Sequence, residues 1–260
     1  MIKYESLNPA VFSPPGSFLE HLRHPTGDLH LSIEKAIFKE HRFAFYYWNK
    51  WRKKLSQNTN IKSPPTLISI DWHTDLSAPD NDEKKELDQL NLLDDNEVAL
   101  FCWLRLFCNN DRHIKSALYL NLLRDVLILQ RQSDNCSRSY TDKFNNKHKI
   151  EIFSDPQQLY SFIIDNYFEY VFLDIDLDYC VLNSGEIAKA SEAKTISDEE
   201  IKQIFDMENG PLAPLVNLIE GITVATEPDH CWGILNSIHF LEVIEKTFFD
   251  NNNKWKHLGT

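Results

Sequence analysis

The chain alternates between short apolar runs and stretches in which apolar residues recur at helical spacing. Runs of this length that are rich in β-branched and aromatic residues are typical of buried strands, and strands separated by helices are typical of a parallel sheet. The segments predicted as strands are residues 29–33, 66–70, 125–129, 149–153, 170–173 and 222–226. We therefore expect an α/β fold with a central, mostly parallel sheet flanked by helices.

The first helix is predicted directly after His41, where aromatic and aliphatic residues recur at helical spacing. We interpret this aromatic face as core that packs against the sheet rather than as a cofactor-binding surface. The acid-rich stretch 80–97 is interpreted as a solvated loop. It leads into a helix that carries Phe101, Leu104 and Phe107.

Capping residues predict further helices in the second half of the chain. Asp155 precedes a proline, which indicates a helix that extends to about residue 166. Ser197 and Glu200 have the spacing of a capping box and indicate the start of the next helix. A last helix is predicted over residues 235–248.

Composition narrows the class of protein. The chain has 260 residues, a size typical of one α/β domain, and its 42% hydrophobic and 25% charged residues are ordinary for a globular protein. Five scattered cysteines without a CxxC motif indicate free thiols. The net charge of −12 disfavours nucleic acid and anionic lipid as partners. With no apolar signal segment or membrane span in the sequence, we expect a cytoplasmic protein.

Two of the predicted strands run directly into clusters of metal-binding residue types. The segments are DWHTD, which begins at Asp71, and DIDLD, which begins at Asp174. Side chains alternate faces along a strand, so every second residue of each segment points to the same side. The residues that share a side are Asp71, His73 and Asp75 in one segment, and Asp174, Asp176 and Asp178 in the other. Because α/β sheets bind ligands at the carboxyl ends of their strands, both segments are expected to face one cavity.

Carboxylates that crowd one another in a buried site require cations. Burial and like charges both raise the pKa of a carboxyl group, so such a group ionises at a high free-energy cost. The charge of four aspartates, Asp71, Asp75, Asp174 and Asp176, matches that of two divalent ions. Oxygen ligands with one or two imidazoles favour manganese or a similar first-row ion over structural zinc. The alternative interpretation is that each aspartate is a cap, a turn residue or a surface charge.

The two segments resemble the metal motifs of the arginase and agmatinase superfamily of ureohydrolases, DxHxD and, after an apolar strand, DxD. That family has a further histidine ligand upstream, and His41 in KEHRFAF lies about 30 residues before Asp71, with EH in place of the usual GGDH. In TVATEP, Glu227 follows a predicted strand, where the family has a glutamate that pairs with the guanidinium group of the substrate. The resemblance covers about residues 28–248 and implies a three-layer arginase-like fold in a single catalytic domain, residues 1–260.

Carried over residue by residue, the resemblance implies two Mn²⁺ ions. One ion would be held by His41, Asp71, Asp75 and Asp174, and the other by Asp71, His73, Asp174 and Asp176, with Asp71 and Asp174 bridging. Glu227 would hold the guanidinium group while a metal-activated water attacks its carbon, and Asp75 would carry the proton to the leaving amine. His113 and His230 are candidates for a further proton shuttle, and Asp178 is a candidate for substrate contact.

The segment after DWHTD departs from arginases that act on free arginine. Those enzymes carry a polar loop there that recognises the α-amino and α-carboxylate groups, together with a histidine that shuttles protons, whereas this chain has LSAPDNDEKKELDQLNL. The variant DIDLDYC and the stretch NNDRHIKSAL around Asp111 and His113 resemble the peptide arginases of ribosomal peptide pathways. The resemblance implies that arginine side chains of a precursor peptide are hydrolysed to ornithine and urea. Relatives of this kind often form homo-oligomers.

Three other functions stay open from the sequence. The first is a hydrolase of the same scaffold that acts on a small free substrate such as arginine, agmatine or an acylated amine; deacetylases of this kind carry paired active-site histidines that we do not find. The second is a non-catalytic module that binds a basic peptide. The third is a two-metal phosphoesterase, which the net negative charge and the lack of a glycine-rich phosphate loop disfavour.

Overall fold

The expected α/β architecture is present as one mixed sheet. The computed structural model describes residues 13–26, 32–57, 63–107, 109–132, 135–182 and 194–249. The strands in these ranges are β1 (Phe18–Arg23), β2 (Ser32–Phe38), β3 (Thr66–Ile70), β4 (Val126–Leu129), β5 (Cys136–Thr141), β6 (Lys147–Phe153), β7 (Val171–Asp176) and β8 (Ile219–Ala225). Their order in the sheet is β1-β2-β8-β7-β3-β4-β6-β5. The six inner strands are parallel, and the edge strands β1 and β5 pair antiparallel with their neighbours.

The predicted strands coincide with the inner strands, with differences at their ends. β3 has the predicted bounds, whereas β7 continues to Asp176 because Asp174 and Asp176 still pair with Thr223 and Ala225 of β8. Of the predicted strand 29–33, residues 29–31 lie outside the described residues, and β2 extends the remainder to Phe38. The edge strands were not predicted. β5 is polar and largely exposed, so it lacks the apolar pattern of a buried strand.

Helices cover the sheet. Those in the described ranges are α1 (Ala44–Ser56), α2 (Asn81–Gln89), α3 (Asp95–Leu104), α4 (His113–Tyr119), α5 (Pro156–Asp165), α6 (Asp198–Ile204) and α7 (Ile234–Ile244), which continues as a π-helix (Glu245–Phe249). The caps at Asp155 and Ser197 are confirmed, and Ser197 forms the capping box with Glu200. None of the helices in the part of the chain that the structure describes is both long enough and apolar enough to cross a bilayer.

The prediction of a solvated loop over residues 80–97 is wrong. The side chain of Asp80 accepts hydrogen bonds from two backbone N–H groups and caps α2, and Asp94 caps α3 in the same way. Acidic residues in the first turn of each helix interact favourably with the helix dipole. The acids that suggested a loop are therefore helix N-terminal signals. The helix was predicted to carry Phe107 as well, but α3 ends at Leu104, so Phe107 lies beyond its end.

Alternating side chains of the strands build a separate core on each face of the sheet. Ile68 and Ile70 of β3 pack with apolar residues of α5, α6 and α7 on one face. Leu67 packs on the other face with α1, α3 and α4, where Trp48 and Trp51 of α1 are buried. Burial on both faces explains why the inner strands are almost continuous apolar runs in the sequence.

Four adjacent parallel strands end beside one another at one edge of this sheet. β2, β8, β7 and β3 are neighbours and run in the same direction. The chain leaves β3 in DWHTD, β7 in the last residues of DIDLD, β2 in KEH and β8 in TEPDH. The candidate site residues therefore reach one edge from parts of the chain that are up to about 190 residues apart.

The contact between α1 and β8 depends on a glycine. A Cβ on Gly221 would overlap the indole ring of Trp51, so the sheet and α1 can pack this closely only without a side chain there. We expect Gly221→Val to lower the free energy of unfolding by about 1–3 kcal/mol, the usual cost of overpacking. Thermal unfolding followed by circular dichroism should show a melting temperature lower by about 2–10 °C. Ser139→Val on the exposed strand β5 is the control and should change stability by about 0.5 kcal/mol at most. An unchanged melting temperature for Gly221→Val would contradict the packing described.

Candidate metal centre

His41 lies at the centre of the site. It begins a short 3-10 helix (His41–Phe43) after β2, and its side chain is fully buried. Its Nδ1 atom lies 3.0 Å from Oδ2 of Asp176, 3.1 Å from Oδ2 of Asp75 and 3.6 Å from Oδ2 of Asp71. Nevertheless, neither His41 Nδ1 nor Asp71 Oδ2 makes a hydrogen bond. Ligand atoms about 3 Å apart are what an octahedrally bound divalent ion requires, so these atoms have the spacing of a coordination shell.

Asp174 lies behind His41 and uses both carboxylate oxygens within the protein. Oδ2 accepts hydrogen bonds from His41 Nε2 at 2.8 Å and from Ser69 Oγ at 3.0 Å, and Oδ1 accepts one from Thr223 Oγ1 at 2.6 Å. Burial raises the pKa of Asp174, but the interaction with His41 outweighs it and holds the pKa below its usual value. A carboxylate that orients the distal nitrogen of a histidine is a common partner of metal-binding histidines. The structure thus places Asp174 outside the group of atoms that converge on His41 Nδ1.

The DWHTD segment folds back on itself at the end of β3. Asp71 N–H still donates to Leu129 of β4, and His73 N–H donates to Asp71 Oδ1 at 2.6 Å. Asp75 has a φ of 48°, a left-handed conformation that turns the chain so that its carboxylate faces His41. The ligand atoms of Asp71, His73 and Asp75 lie within 4.8 Å of one another. The three predicted ligands of this segment are therefore brought together.

Asp178 joins the two acidic segments. It lies in a 3-10 helix (Leu177–Cys180) that begins directly after β7, which turns it towards DWHTD. Its Oδ1 accepts a hydrogen bond from Trp72 N–H at 3.0 Å, and its Oδ2 lies 3.1 Å from His73 Nδ1. Its own N–H donates to Asp176 Oδ1 at 3.0 Å. Asp178, predicted only as a candidate for substrate contact, thus lies among the predicted metal ligands.

The electrostatics of the site favour a bound cation. Burial, followed by the neighbouring carboxylates, raises the pKa of Asp71 and Asp176 well above the usual range and raises that of Asp75 as well. Burial alone would lower the pKa of His41, but Asp174 and Asp176 raise it strongly. The raised pKa values reflect the free-energy cost of placing several negative charges in one small buried volume. A divalent ion bound by these groups would relieve the repulsion among them.

Glu227 lies beside this cluster at the mouth of the site. It is buried, and its Oε1 accepts hydrogen bonds from His41 N–H at 3.1 Å and from the side-chain amide of Asn110. Burial is the largest cause of its raised pKa. A cavity of about 180 Å³ opens here, lined by Lys39, Glu40, Asn110, Glu227, Asp229 and His230. The predicted guanidinium-binding residue therefore lines a small cavity next to the cluster.

The two candidate shuttle histidines have different environments. His113 is fully buried, its Nδ1 donates to the carbonyl of Asn110 at 2.8 Å, and its ring lies 4.3 Å from that of His41. Burial and His41 lower the pKa of His113 to about 3, so its imidazole is neutral at physiological pH. His230 is 57% exposed, and its Nε2 lies 3.7 Å from Glu227 Oε2. These environments favour His230 over His113 for proton exchange with solvent.

Several residues of the site were not predicted from the sequence. Ser69 and Thr223 hold Asp174, and Asn110 holds Glu227. A signal for the first two exists, because a hydroxyl inside an apolar inner strand must find a buried hydrogen-bond partner. Asp111 of the NNDRHIKSAL stretch accepts a hydrogen bond at its backbone carbonyl from Ser77 N–H, which ties this stretch to DWHTD.

Left-handed backbone conformations concentrate at the site. Of the six non-glycine residues with positive φ in the described ranges, three line it: Asp75, Asn110 and Glu227. Such conformations cost free energy, of the order of 1–3 kcal/mol each for most residues, and cluster at functional sites. Their occurrence here agrees with a site that the surrounding structure holds in a fixed geometry.

We expect manganese to stabilise the protein after chelator treatment. At a free concentration about 100 times the dissociation constant, one bound ion adds about 2.7 kcal/mol, which corresponds to about 5–10 °C in melting temperature. Asp176→Asn should abolish this shift. The same variant should melt above wild type when both are metal-free, because it removes a repelling charge. Asp82→Asn at an exposed position is the matched control and should retain the shift. Differential scanning fluorimetry measures both effects, and an equal shift in Asp176→Asn would exclude Asp176 as a ligand.

Comparison with known proteins adds no family to this description. Neither a scan against protein-family models nor a search of curated proteins finds a match to this chain. The buried clusters of histidine and aspartate are groups that could hold metal ions. The resemblance to ureohydrolases stays a prediction from the motifs.

Proposed function

We propose that this protein is a binuclear metal hydrolase that converts arginine side chains of a peptide to ornithine and urea. The observation that carries the proposal is the convergence of three carboxylates on the unpaired Nδ1 of His41, with Glu227 directly beside them. The spacing of these atoms, 3.0 to 3.6 Å around one nitrogen, is that of ligands around a shared ion.

The distances support a revised allocation of metal ligands. In this proposal one ion is held by His41, Asp71, Asp75 and Asp176, and the second by Asp71, His73, Asp176 and Asp178. Asp176 replaces Asp174 as the ligand shared by both ions, because Asp176 lies 3.0 Å from His41 Nδ1 while both oxygens of Asp174 are engaged by hydrogen bonds. Asp178 completes the second set, because its Oδ2 lies 3.1 Å from His73 Nδ1. Asp174 then orients His41 as a metal ligand. The oxygen-rich set with two imidazoles fits Mn²⁺.

The residues around the centre have complementary tasks in the proposed reaction. Divalent ions held by these residues would lower the pKa of a bound water and so supply a nucleophile near neutral pH. Glu227 binds the guanidinium nitrogens by charge-assisted hydrogen bonds and places the guanidinium carbon next to the centre. Asp75, whose Oδ2 lies 3.1 Å from His41 Nδ1, accepts the first proton that the attacking water loses. Hydrolysis breaks the bond between the guanidinium carbon and the side-chain nitrogen. The water oxygen becomes the carbonyl oxygen of urea, and both protons of the water pass to the leaving nitrogen, the first by way of Asp75, which gives the ammonium group of ornithine.

The cavity supports a peptide side chain as substrate. Its volume of about 180 Å³ is below the roughly 300–1,000 Å³ of pockets that enclose a drug-sized ligand, so it suits one extended side chain. Three of its lining residues are acids, against one lysine, which favours a cationic group. That lysine, Lys39, lies 3.0 Å from Asp229 and is thereby paired with an acid.

Metal stoichiometry distinguishes the two ligand allocations. We expect Asp178→Asn to bind about one manganese fewer than wild type, because it removes a ligand. Asp174→Asn should bind both ions with about 10- to 100-fold weaker affinity, the usual effect of losing a partner that orients a ligand. Elemental analysis after gel filtration gives the stoichiometry, with Asp82→Asn as control. Loss of an ion in Asp174→Asn but not in Asp178→Asn would restore Asp174 as the ligand.

Activity distinguishes the proposed substrate from its alternatives. Manganese-loaded protein should release urea from an arginine-containing peptide, with conversion of the arginine to ornithine in the mass spectrum, and should not turn over free arginine. Glu227→Gln should lower kcat/KM by about 10- to 100-fold through loss of a charge-assisted hydrogen bond. Glu199→Gln, an exposed position in α6, is the matched control. Turnover of free arginine or agmatine would indicate a small-molecule ureohydrolase. Loss of an acyl group from an acylated amine would indicate a deacetylase.

A further inference from the structure

Asn110 connects three parts of the candidate site. It precedes α4 and has a φ of 58°, a left-handed conformation that asparagine tolerates better than most residues. Its carbonyl oxygen accepts a hydrogen bond from Nδ1 of the buried His113 at 2.8 Å. Its side chain lines the cavity together with Glu227. His113 therefore holds the backbone of Asn110, while the side chain of Asn110 lines the cavity proposed for the substrate.

The orientation of the Asn110 amide follows from its neighbours. The backbone N–H of Arg42 lies 3.4 Å from Asn110 Oδ1, and a backbone nitrogen can only donate. The amide oxygen therefore faces Arg42, which directs the amide nitrogen to Glu227 Oε1. Arg42 Nη1 also donates to the carbonyl of Leu106, so the turn that carries His41 and the segment before Asn110 are joined at a second point.

The two oxygens of Glu227 are treated differently by the protein. Oε1 accepts both protein hydrogen bonds, from His41 N–H and from the Asn110 amide. Oε2 lies 3.7 Å from His230 Nε2, which is longer than a hydrogen bond, and no hydrogen bond from the described residues reaches it. Oε2 is thus left for a ligand in the cavity. With two donors on Oε1 the carboxylate plane is fixed, whereas with one donor it can rotate.

We propose that Asn110 is the positioning residue that directs Glu227 Oε2 at the cationic group of the substrate. The inference rests on the proposed function, in which Glu227 binds the guanidinium group. Asn110 acts through Glu227 and does not hold the metals, because among the described residues its side chain forms hydrogen bonds with Arg42 N–H and Glu227 and with none of the proposed metal ligands. Its effect is therefore on substrate binding and on kcat/KM, not on manganese content.

Two substitutions test this role from opposite directions. Asn110→Gly deletes the amide and suits the left-handed backbone, so it avoids the strain that alanine would introduce. Asn110→Asp keeps the shape and the acceptor for Arg42 N–H, but it places a carboxylate oxygen against Glu227 Oε1. We expect kcat/KM for urea release from an arginine-containing peptide to fall about tenfold in the first variant and about 100-fold in the second. The larger share should lie in KM, with manganese content unchanged.

A double-variant cycle separates positioning from a structural role. If Asn110 acts through Glu227, then Asn110→Asp should lower kcat/KM far less in a Glu227→Gln background than in wild type, because the group to be positioned is already altered. A structural defect would lower activity by the same factor in both backgrounds. The matched controls are Asn145→Gly and Asn145→Asp, since Asn145 also has a positive φ, 67°, but lies exposed in the turn between β5 and β6. Both should leave kcat and KM unchanged.

The outcomes separate this inference from the proposed function. If wild type is active, two results would overturn the role of Asn110 and leave the proposed function intact. One is an equal effect of Asn110→Asp in the wild-type and Glu227→Gln backgrounds. The other is a kcat/KM of both Asn110 variants within about twofold of wild type. If wild type releases no urea, the proposed function fails, and binding of methylguanidinium to the manganese-loaded protein, measured by calorimetry, decides the role of Asn110. Weaker binding by Asn110→Asp at full manganese content would support it. Equal binding, or no binding by wild type, would overturn it.

Discussion

Repulsion among buried carboxylates is the constraint on which the rest of this structure depends. Asp71, Asp75 and Asp176 are gathered around one nitrogen of His41, largely shielded from water, and their pKa values are raised as a result. Nothing in an apolar core requires such an arrangement, and removing these charges would relieve it. A divalent cation turns the same arrangement from unfavourable to favourable. The cluster is therefore a group of side chains that could hold a metal ion, as the proposed function requires.

The sheet topology makes this crowding feasible. β2, β8, β7 and β3 are adjacent and parallel, so their carboxyl ends lie side by side even though β2 and β8 come from opposite ends of the described chain. Hydrogen bonds then join the loops that leave them, from His41 N–H to Glu227 and from Trp72 N–H to Asp178. Two residues of these loops, Asp75 and Glu227, have positive φ values.

The sequence predicted most of the fold where burial leaves a strong pattern. The inner strands are buried on both faces, and the caps at Asp155 and Ser197 act locally, so both were recognisable. The edge strands β1 and β5 were missed because an edge strand can be polar and exposed. Residues 80–97 were misinterpreted because acids in the first turn of a helix have the same composition as a solvated loop. Composition alone does not separate a solvated loop from a helix N-terminus. The distinguishing feature is the position of Asp80 and Asp94 directly before the acids of a first helical turn.

By itself the sequence determined that carboxylates and imidazoles follow two buried strands. It also determined that they meet at one sheet edge, because short apolar runs separated by helices indicate parallel strands whose carboxyl ends share an edge. Only the tertiary structure decided which of them face the common centre. Strand alternation puts Asp174, Asp176 and Asp178 on one side, but the strand ends at Asp176, and a 3-10 helix turns Asp178 towards His73. The hydrogen bonds that hold Asp174 and Glu227 come from residues about 50 to 190 positions away. Partners that distant leave no periodic trace in the sequence, because their contact exists only once the sheet has formed.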